Sequence, residues 1–325
     1  MDRLISLSSP LIENSKYFLN IEKTTFLKSL KYIFSKVTFV GWGRKKSGLW
    51  ATQMAKLTRG DFLLLEDGLI RSLGLGVEGS PSFSMVQDNV GIYYDATTPS
   101  KLENILNSYD FNHDKELMQI AKEAREKIIE YKISKYNNFK KVDLSYLNNK
   151  RAKVLIIAQT YGDSSLKYGL AENFTTKEII EDAIRDNPHV EVYIKIHPDV
   201  LLGKKKSDID LEQIPKTCHI LTDNANPLVL LKYFNKVYTK TSGMGFEALL
   251  LNREVHCYGM PFYAGWGVTI DKLKAPRRQR MLTVNEIFAS MYILYTTYYN
   301  PYTHKKIDLL ETIESIVSHQ NKHNF

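Results

Sequence analysis

The chain has 325 residues, 43% hydrophobic and 25% charged, the composition of a soluble globular protein long enough for two α/β domains. Its net charge of +8 points to an anionic partner, but no RNA- or DNA-binding signature accompanies the charge, which ranks nucleic acid low. Cys218 and Cys257, without metal-ligand spacing, read as reduced core thiols of a cytosolic protein. No signal peptide is apparent and no apolar run approaches the ~20 residues that span a bilayer, so a membrane is expected to be met from the cytosolic side.

In chain order, short β-rich runs alternate with helical stretches. Val37 to Val40 predicts a strand, followed by the turn Gly41-Trp42-Gly43-Arg44 and a helix-like stretch to Leu57. Phe62 to Leu65 predicts a buried strand ending on Glu66-Asp67-Gly68, and Phe83 to Val86 and Ile92 to Tyr94 predict two more. Pro99-Ser100 opens an amphipathic segment to Leu106, and a charged helix runs from Asp114 to Tyr131. The polar, Lys/Asn-rich passage Ser134 to Arg151 reads as an interdomain linker. Beyond it come strands at Val154 to Ala158, Val190 to Ile196, Lys236 to Thr239 and Val255 to Tyr258. Helices are predicted at Thr176 to Arg185, Pro227 to Phe234, Met244 to Leu251, Val284 to Tyr295 and Ile307 to Val317. This alternation predicts an α/β protein of two doubly wound parallel sheets, whose ligands bind beyond the carboxyl ends of the strands.

Four loops after strands therefore hold the candidate chemistry. Glu66 and Asp67, with Arg71 close behind, suit general-base work or the orientation of an acceptor hydroxyl; an Asp-Gly turn explains them equally well. In Gln159-Thr160-Tyr161-Gly162-Asp163-Ser164-Ser165, Asp163 is a base or covalent nucleophile facing the cleft, unless it only caps the next helix. In Lys195-Ile196-His197-Pro198-Asp199, strand alternation puts Lys195 and His197 on one face as two donors for a phosphate or carboxylate. No second His or Cys lies at metal-ligand spacing there. Ser242-Gly243 starts a helix whose free N–H groups suit an anion, with Glu247 one turn in, within reach of a ribose diol; ordinary capping by Ser242 is the plainer alternative. The loop Gly259 to Gly267, rich in Gly and aromatic residues, reads otherwise as a rigid corner that seals the domain. Gly41-x-Gly43 lacks the remaining offsets of a dinucleotide fingerprint, and Asp208-Ile209-Asp210 reads as a solvated loop rather than a metal-binding pair.

Seven stretches occur together in one order: Gly41-Trp42-Gly43-Arg44-Lys45, Leu65 to Ser72, Gly91-Ile92-Tyr93-Tyr94-Asp95, Gln159-Thr160-Tyr161-Gly162-Asp163, Lys195-Ile196-His197-Pro198-Asp199, Thr241 to Leu249 and Pro261 to Gly267. In this the chain resembles the capsule polysaccharide β-Kdo transferase family of the KpsC/LipA type. The resemblance implies a GT-B fold, two Rossmann-like domains facing a central cleft. Residues 1–145 would form the acceptor domain, 146–295 the CMP-sugar-binding domain, and 296–325 a C-terminal helix returning to brace the first domain. It also implies transfer of Kdo from CMP-Kdo, with retention, to a lipid-linked Kdo or glycan acceptor. Carried over, His197, Pro198, Ser242, Gly243 and Glu247 would hold CMP, and Lys195 would meet the phosphate or the Kdo carboxylate. Asp163 would be the nucleophile, Glu66 and Asp67 would manage the acceptor, and Arg71, Gln159, Ser164 and Tyr263 would contact substrate. CMP carries one phosphate, which a helix N-terminus and a His/Lys pair can receive, so neither metal nor other cofactor is expected. Each motif occurs once, so a single module is expected where members of the family commonly carry two. Its expected partners are other capsule biosynthesis and export proteins, its expected place the cytoplasmic face of a Gram-negative inner membrane. Transfer of another CMP-linked nonulosonate, such as sialic acid, and a non-catalytic module that binds acidic glycan or scaffolds capsule assembly are the alternatives.

Overall fold

In the computed structural model the described residues, 3–32, 36–76, 79–196, 200, 207, 209 and 211–323, are organised around two β-sheets. Their strands are β1 (Arg3–Ser6), β2 (Glu22–Lys23), β3 (Val37–Trp42), β4 (Asp61–Asp67), β5 (Ser84–Asp88), β6 (Lys153–Ile157), β7 (Glu191–Lys195), β8 (Cys218–Leu221), β9 (Lys236–Thr239), β10 (Glu254–Cys257), β11 (Ile270–Asp271), β12 (Thr296–Asn300) and β13 (Lys305–Ile307).

The later sheet runs β11-β10-β9-β6-β7-β8 and every pairing in it is parallel. Lys-Val-Leu-Ile-Ile of β6 is buried throughout, as a central parallel strand covered on both faces must be. From β6 the chain goes first to β7 and β8 on one side, then returns to β9 and β10 on the other. This is the doubly wound order of nucleotide-binding sheets, and it puts the topological switch point between β6 and β9. The helices between the strands are started by side chains placed for it. Thr175 and Glu178 form a capping box at Thr176–Asp186, and Asn226 with Pro227 starts Pro227–Leu230.

The earlier sheet runs β13-β12-β5-β4-β3-β1-β2. Its β2-β1-β3-β4 half is parallel, as the alternating pattern predicts, but β5, β12 and β13 add to it antiparallel. The last two strands come from the end of the chain, so residues after Thr296 return to the first sheet as a strand pair followed by the helix Leu309–His323. Gln320 of that helix donates to the Asn137 carbonyl at 3.2 Å.

Three local expectations give way. Ile92 to Tyr94 lies in a turn, closed by the Asp95 N–H on the Ile92 carbonyl at 2.9 Å, and the chain leading into it is held by the fully buried Asp88 side chain, which takes the N–H groups of Val90, Gly91 and Lys101. Val284–Phe288 is followed by a π-helical stretch, Ala289–Leu294, rather than one continuous α-helix, and Ile307 closes β13 instead of opening a helix. The passage read as a linker is pinned at its start. Asn137 N–H donates to the Leu73 carbonyl at 2.8 Å, Asn137 Nδ2 to the Ser72 carbonyl at 3.0 Å, and Ser72 and Tyr136 form a β-bridge.

Candidate active site

The loops after β6 and β9 meet across the switch point. Gln159 Oε1 accepts from the Thr241 N–H at 2.7 Å and Gln159 Nε2 donates to Thr241 Oγ1 at 3.0 Å. Gln159 thus joins the two loops rather than pointing free into the cleft. Ser242 caps the helix Gly243–Leu250 by accepting from the Met244 N–H at 3.3 Å. Its carbonyl accepts from Tyr263 Oη at 2.6 Å. Gly243 is exposed, and a Cβ there would meet nothing within 4 Å, so the helix start stands open to a ligand. Asp163, exposed, caps Ser164–Tyr168 through the Ser165 N–H at 2.9 Å, leaving one carboxylate oxygen open. Gly162 before it has φ +83, a left-handed turn that favours glycine. Ser164 is half-buried at the first turn of that short helix, and the Ser165 hydroxyl goes to Thr241 Oγ1 at 3.0 Å. Lys195 ends β7 with its Nζ on the Asp223 carbonyl at 3.1 Å, and burial lowers its pKa. His197 and Pro198 lie outside the described residues.

Glu247 does not face open solvent as a free diol acceptor. It accepts from the Ser134 hydroxyl of the pinned segment, and burial pushes its carboxyl up to about 7 against the pull of that bond. Two expected substrate contacts are buried structural groups. Tyr263 is fully buried and spends its hydroxyl on Ser242, while Phe262 and Trp266 beside it are nearly as enclosed. The loop is therefore the sealing corner of the domain, and Tyr263 acts by fixing the Ser242 turn. Arg71 is buried too. Its Nε pairs with Asp67 Oδ1 at 3.1 Å and its Nη1 donates to Ser72 Oγ at 2.9 Å and the Ser80 carbonyl at 3.1 Å, so it anchors Asp67 and the loop behind it.

Glu66 and Asp67 occupy the last two rungs of β4, opposite Val86 and Met85 of β5. Glu66 Oε1 accepts from Trp42 Nε1 at 2.9 Å and from the Asp67 N–H at 3.2 Å. Gly43, at φ +36, lets the neighbouring groups close in, since a Cβ there would meet Tyr94 Oη at 2.2 Å and Glu66 Oε2 at 2.8 Å. Burial, helped by the Asp67 charge, pushes the Glu66 carboxyl up to about 7, while Lys135 and Lys45 pull the other way. A carboxyl near neutrality is suited to move a proton at physiological pH.

The two halves come together at Tyr93. Its hydroxyl is pushed up first by burial, then by Glu66, Tyr94, Asp67 and Asp163, so carboxylates of both sheets act on one group. Its ring packs edge-on against Phe262 and Tyr295. Arg44 spans the same seam, bonded to Asp95 and lying 5.8 Å from the Tyr168 ring centroid. Trp42, which donates to Glu66, and Tyr94, whose hydroxyl accepts from the Arg44 N–H at 2.7 Å, sit inside motifs that the sequence singles out. Lys135 and Ser134 sit in a polar passage with no local mark of their contacts. Among the described residues no helix is long and apolar enough to cross a membrane, and no three His, Cys, Asp or Glu side chains cluster as a metal site.

Comparison with known proteins bears on this geometry. The family described as "Capsule polysaccharide biosynthesis protein" matches residues 38–300. The capsule polysaccharide modification protein LipA of Neisseria meningitidis serogroup B is 37% identical over 294 residues, 88% of this chain and 42% of that protein. The lipopolysaccharide-processing protein LpsZ of Rhizobium meliloti is 35% identical over 82% of this chain and 60% of its own length. The chain thus spans less than two thirds of these relatives. Among solved structures, the β-Kdo 2,4 transferase of Thermosulfurimonas dismutans KpsC superposes with a TM-score of 0.88 at 40% identity, covering 97% of this chain and 98% of that one. The β-Kdo 2,7 transferase of the same protein gives a TM-score of 0.76 at 27% identity over 98% and 100%.

Proposed function

We propose, from the premise that the chain belongs to the capsule polysaccharide biosynthesis protein family and has the GT-B fold, that it is a glycosyltransferase moving Kdo from CMP-Kdo to a Kdo-terminated or other glycan acceptor with retention. The observation that carries the reading is the open Gly243 helix start near Asp163 at the switch point, with Asp163 and the Glu66–Asp67 pair acting from the two sheets on Tyr93.

The phosphate of CMP sits at the Ser242–Gly243 helix start, with Lys195 and His197 as further donors. An Asp163 carboxylate oxygen attacks the anomeric carbon as the bond to the CMP oxygen breaks, and CMP leaves with the electron pair. The acceptor oxygen then displaces Asp163 from the same carbon, and its proton passes to Glu66, whose pKa of about 7 leaves it partly ionised near neutral pH. Two inversions give net retention. The acceptor approaches from the first-sheet side, and the basic chain, at +8, suits both an acidic glycan and an anionic cytoplasmic membrane surface met peripherally.

The test is incubation with CMP-Kdo and a defined Kdo-terminated acceptor, with and without chelator, and product analysis by NMR. A β-linked Kdo product, undiminished by EDTA, is expected. Transfer only from CMP-sialic acid would reassign the donor, turnover lost with EDTA and restored by Mg²⁺ would overturn metal independence, and no transfer together with no thermal shift by CMP would leave a glycan-binding or scaffolding module.

A further inference from the structure

The charge of this chain is not spread evenly. The 38 residues 23–60 carry nine Lys or Arg and no Asp or Glu, so they account for the whole net charge of +8 and the rest of the chain is close to neutral. The fold gathers that stretch at one end of the first sheet. β2, β1, β3 and β4 are parallel neighbours, so β2 and β3 release the chain on one rim, and Glu66–Asp67 closes β4 on the same rim. From that rim run the short helix Phe26–Ser29, continued by Leu30–Tyr32, and the helix Lys46–Leu57. Both cover one face of the sheet, since Tyr32 packs against the cluster that Phe39 forms with Trp50, Ala51 and Met54 of the longer helix.

Apolar side chains stand outward from this cover. Phe26 is 58% and Leu27 77% exposed, and Leu49 on the longer helix is 41% exposed. A built turn holds the first two there. The Ser29 N–H bonds the Thr25 carbonyl at 2.9 Å, and the Lys28 N–H donates to Thr25 Oγ1 at 3.3 Å. Ser29, itself fully buried, donates its hydroxyl to the Phe26 carbonyl at 2.6 Å. Lys28, Lys31 and Lys46 are exposed in the same elements and close no ion pair among the described residues.

We propose that this face is the docking surface for an anionic lipid bilayer, with Phe26 and Leu27 entering the headgroup region and the lysines meeting the lipid phosphates. It deepens the peripheral membrane contact of the proposed function and rests on that reading. Two properties choose the occupant. A soluble polyanion would satisfy the lysines but leave Phe26 and Leu27 in water, and a second copy of this face would set like charge against like charge. An anionic bilayer offers phosphates and an apolar layer at once. The placement also serves transfer. Glu66–Asp67 lies on the same rim, three strand positions from β2 or about 14 Å across the sheet, so an acceptor anchored in that bilayer is presented to the carboxylate pair.

The test is flotation of the full chain with vesicles of phosphatidylcholine alone or with about 30% phosphatidylglycerol, at about 0.1 M salt. Wild type should float with the anionic vesicles and stay behind with the neutral ones. Lys28→Gln combined with Lys31→Gln should weaken that binding about tenfold or more, and Phe26→Ser combined with Leu27→Ser about tenfold, each with an unchanged thermal melt. Leu27→Ser alone is measured should the apolar pair not fold. Lys115→Gln combined with Lys122→Gln removes the same charge from exposed positions of the helix Lys115–Tyr131 and should change binding less than about twofold. No flotation with anionic vesicles overturns the proposal, and so does equal weakening by the two lysine pairs, which would mean net charge alone. Binding untouched by the Phe26 and Leu27 substitutions overturns it too and assigns the face to a soluble polyanion. Flotation needs neither CMP-Kdo nor acceptor, and the same variants should keep transfer to a soluble acceptor. Failure of transfer therefore counts against the proposed function, and failure of flotation against this surface.

Discussion

Glu247 and Glu66 are both pushed up to about 7, chiefly by burial, and that has a consequence for stability whatever the substrate. A carboxyl whose folded pKa lies above its unfolded value favours the fold fully below the unfolded pKa, and that contribution is lost as pH rises through the folded pKa. For Glu247 the window runs from its ordinary 4.5 to about 7. Glu247→Gln keeps an acceptor for the Ser134 hydroxyl and removes the buried charge. Its stability relative to wild type should therefore rise between about pH 5 and about pH 8, by on the order of 2–3 kcal/mol. Thermal melts of both proteins at the two pH values check this, and a constant offset would show that Glu247 does not titrate in this window. At Asp163 the structural and chemical roles can be separated. Asp163→Asn keeps a cap for the Ser165 N–H and should stay within about 0.5 kcal/mol of wild type, whereas Asp163→Ala should lose about 1 kcal/mol. Both should bind CMP and transfer no Kdo. A fully active Asp163→Asn would leave Asp163 as a cap alone and Glu66–Asp67 as the base of a single displacement.

The elements most legible in the sequence are those with buried centres. β3, β4, β6 and β7 each carry a short apolar stretch and end at loops with functional side chains, and β6, central and parallel, is buried along its whole length. Short edge strands carry no such signal: β2 is Glu-Lys, both exposed, and β13 is Lys-Lys-Ile. The turn after Asp88 carries no local mark because two of the donors that its carboxylate collects, the Lys101 backbone N–H and the Tyr295 hydroxyl, lie far along the chain. In the site, the loops were legible and their partners were not. Nothing local to Ser134 or Lys135 marks contacts with Glu247 and with residues 71 and 72. Ion pairing between elements was equally silent. Glu103, 5% exposed on the helix Lys101–Ser108, receives Arg277 Nε at 2.6 Å and Arg278 Nε at 3.4 Å, and Arg278 Nη1 also donates to the Pro261 carbonyl at 2.6 Å. Removing one partner of a buried pair leaves the other charge uncompensated, so Glu103→Ala should cost about 3–5 kcal/mol in urea unfolding. A loss below about 1 kcal/mol would mean that the pair is hydrated and structurally idle.

At the scale of the whole molecule the two sheets do not have separate interiors. One buried cluster contains Leu64 and Phe83 of the first sheet region, Leu155 and Val237 of the second, the corner residue Trp266, and Tyr298 and Ile316 from the returning C-terminal segment. Polar ties follow the same seam. The Ala96 N–H donates to the Tyr168 carbonyl at 2.8 Å, Asn226 Nδ2 to the Lys132 carbonyl at 2.7 Å, and Arg125 to the Leu250 carbonyl at 2.6 Å and Asn285 Oδ1 at 2.8 Å. The end of the chain completes the sheet with which its beginning starts: Tyr299 N–H bonds the Phe83 carbonyl at 2.8 Å, and without β12 the edge of β5 would lie unpaired. A residue range such as 1–145 therefore lacks two strands of its own sheet and much of the apolar surface that its core packs against. We expect the full chain to unfold in one cooperative transition, with a calorimetric to van't Hoff enthalpy ratio near one, and CMP to raise that single transition although its proposed site lies beside the second sheet only. Residues 1–145 expressed alone should not give a cooperative melt. Two resolved transitions in the full chain, with only the later one moved by CMP, would show instead that the halves fold as independent units and that the shared cluster contributes little to holding the cleft together.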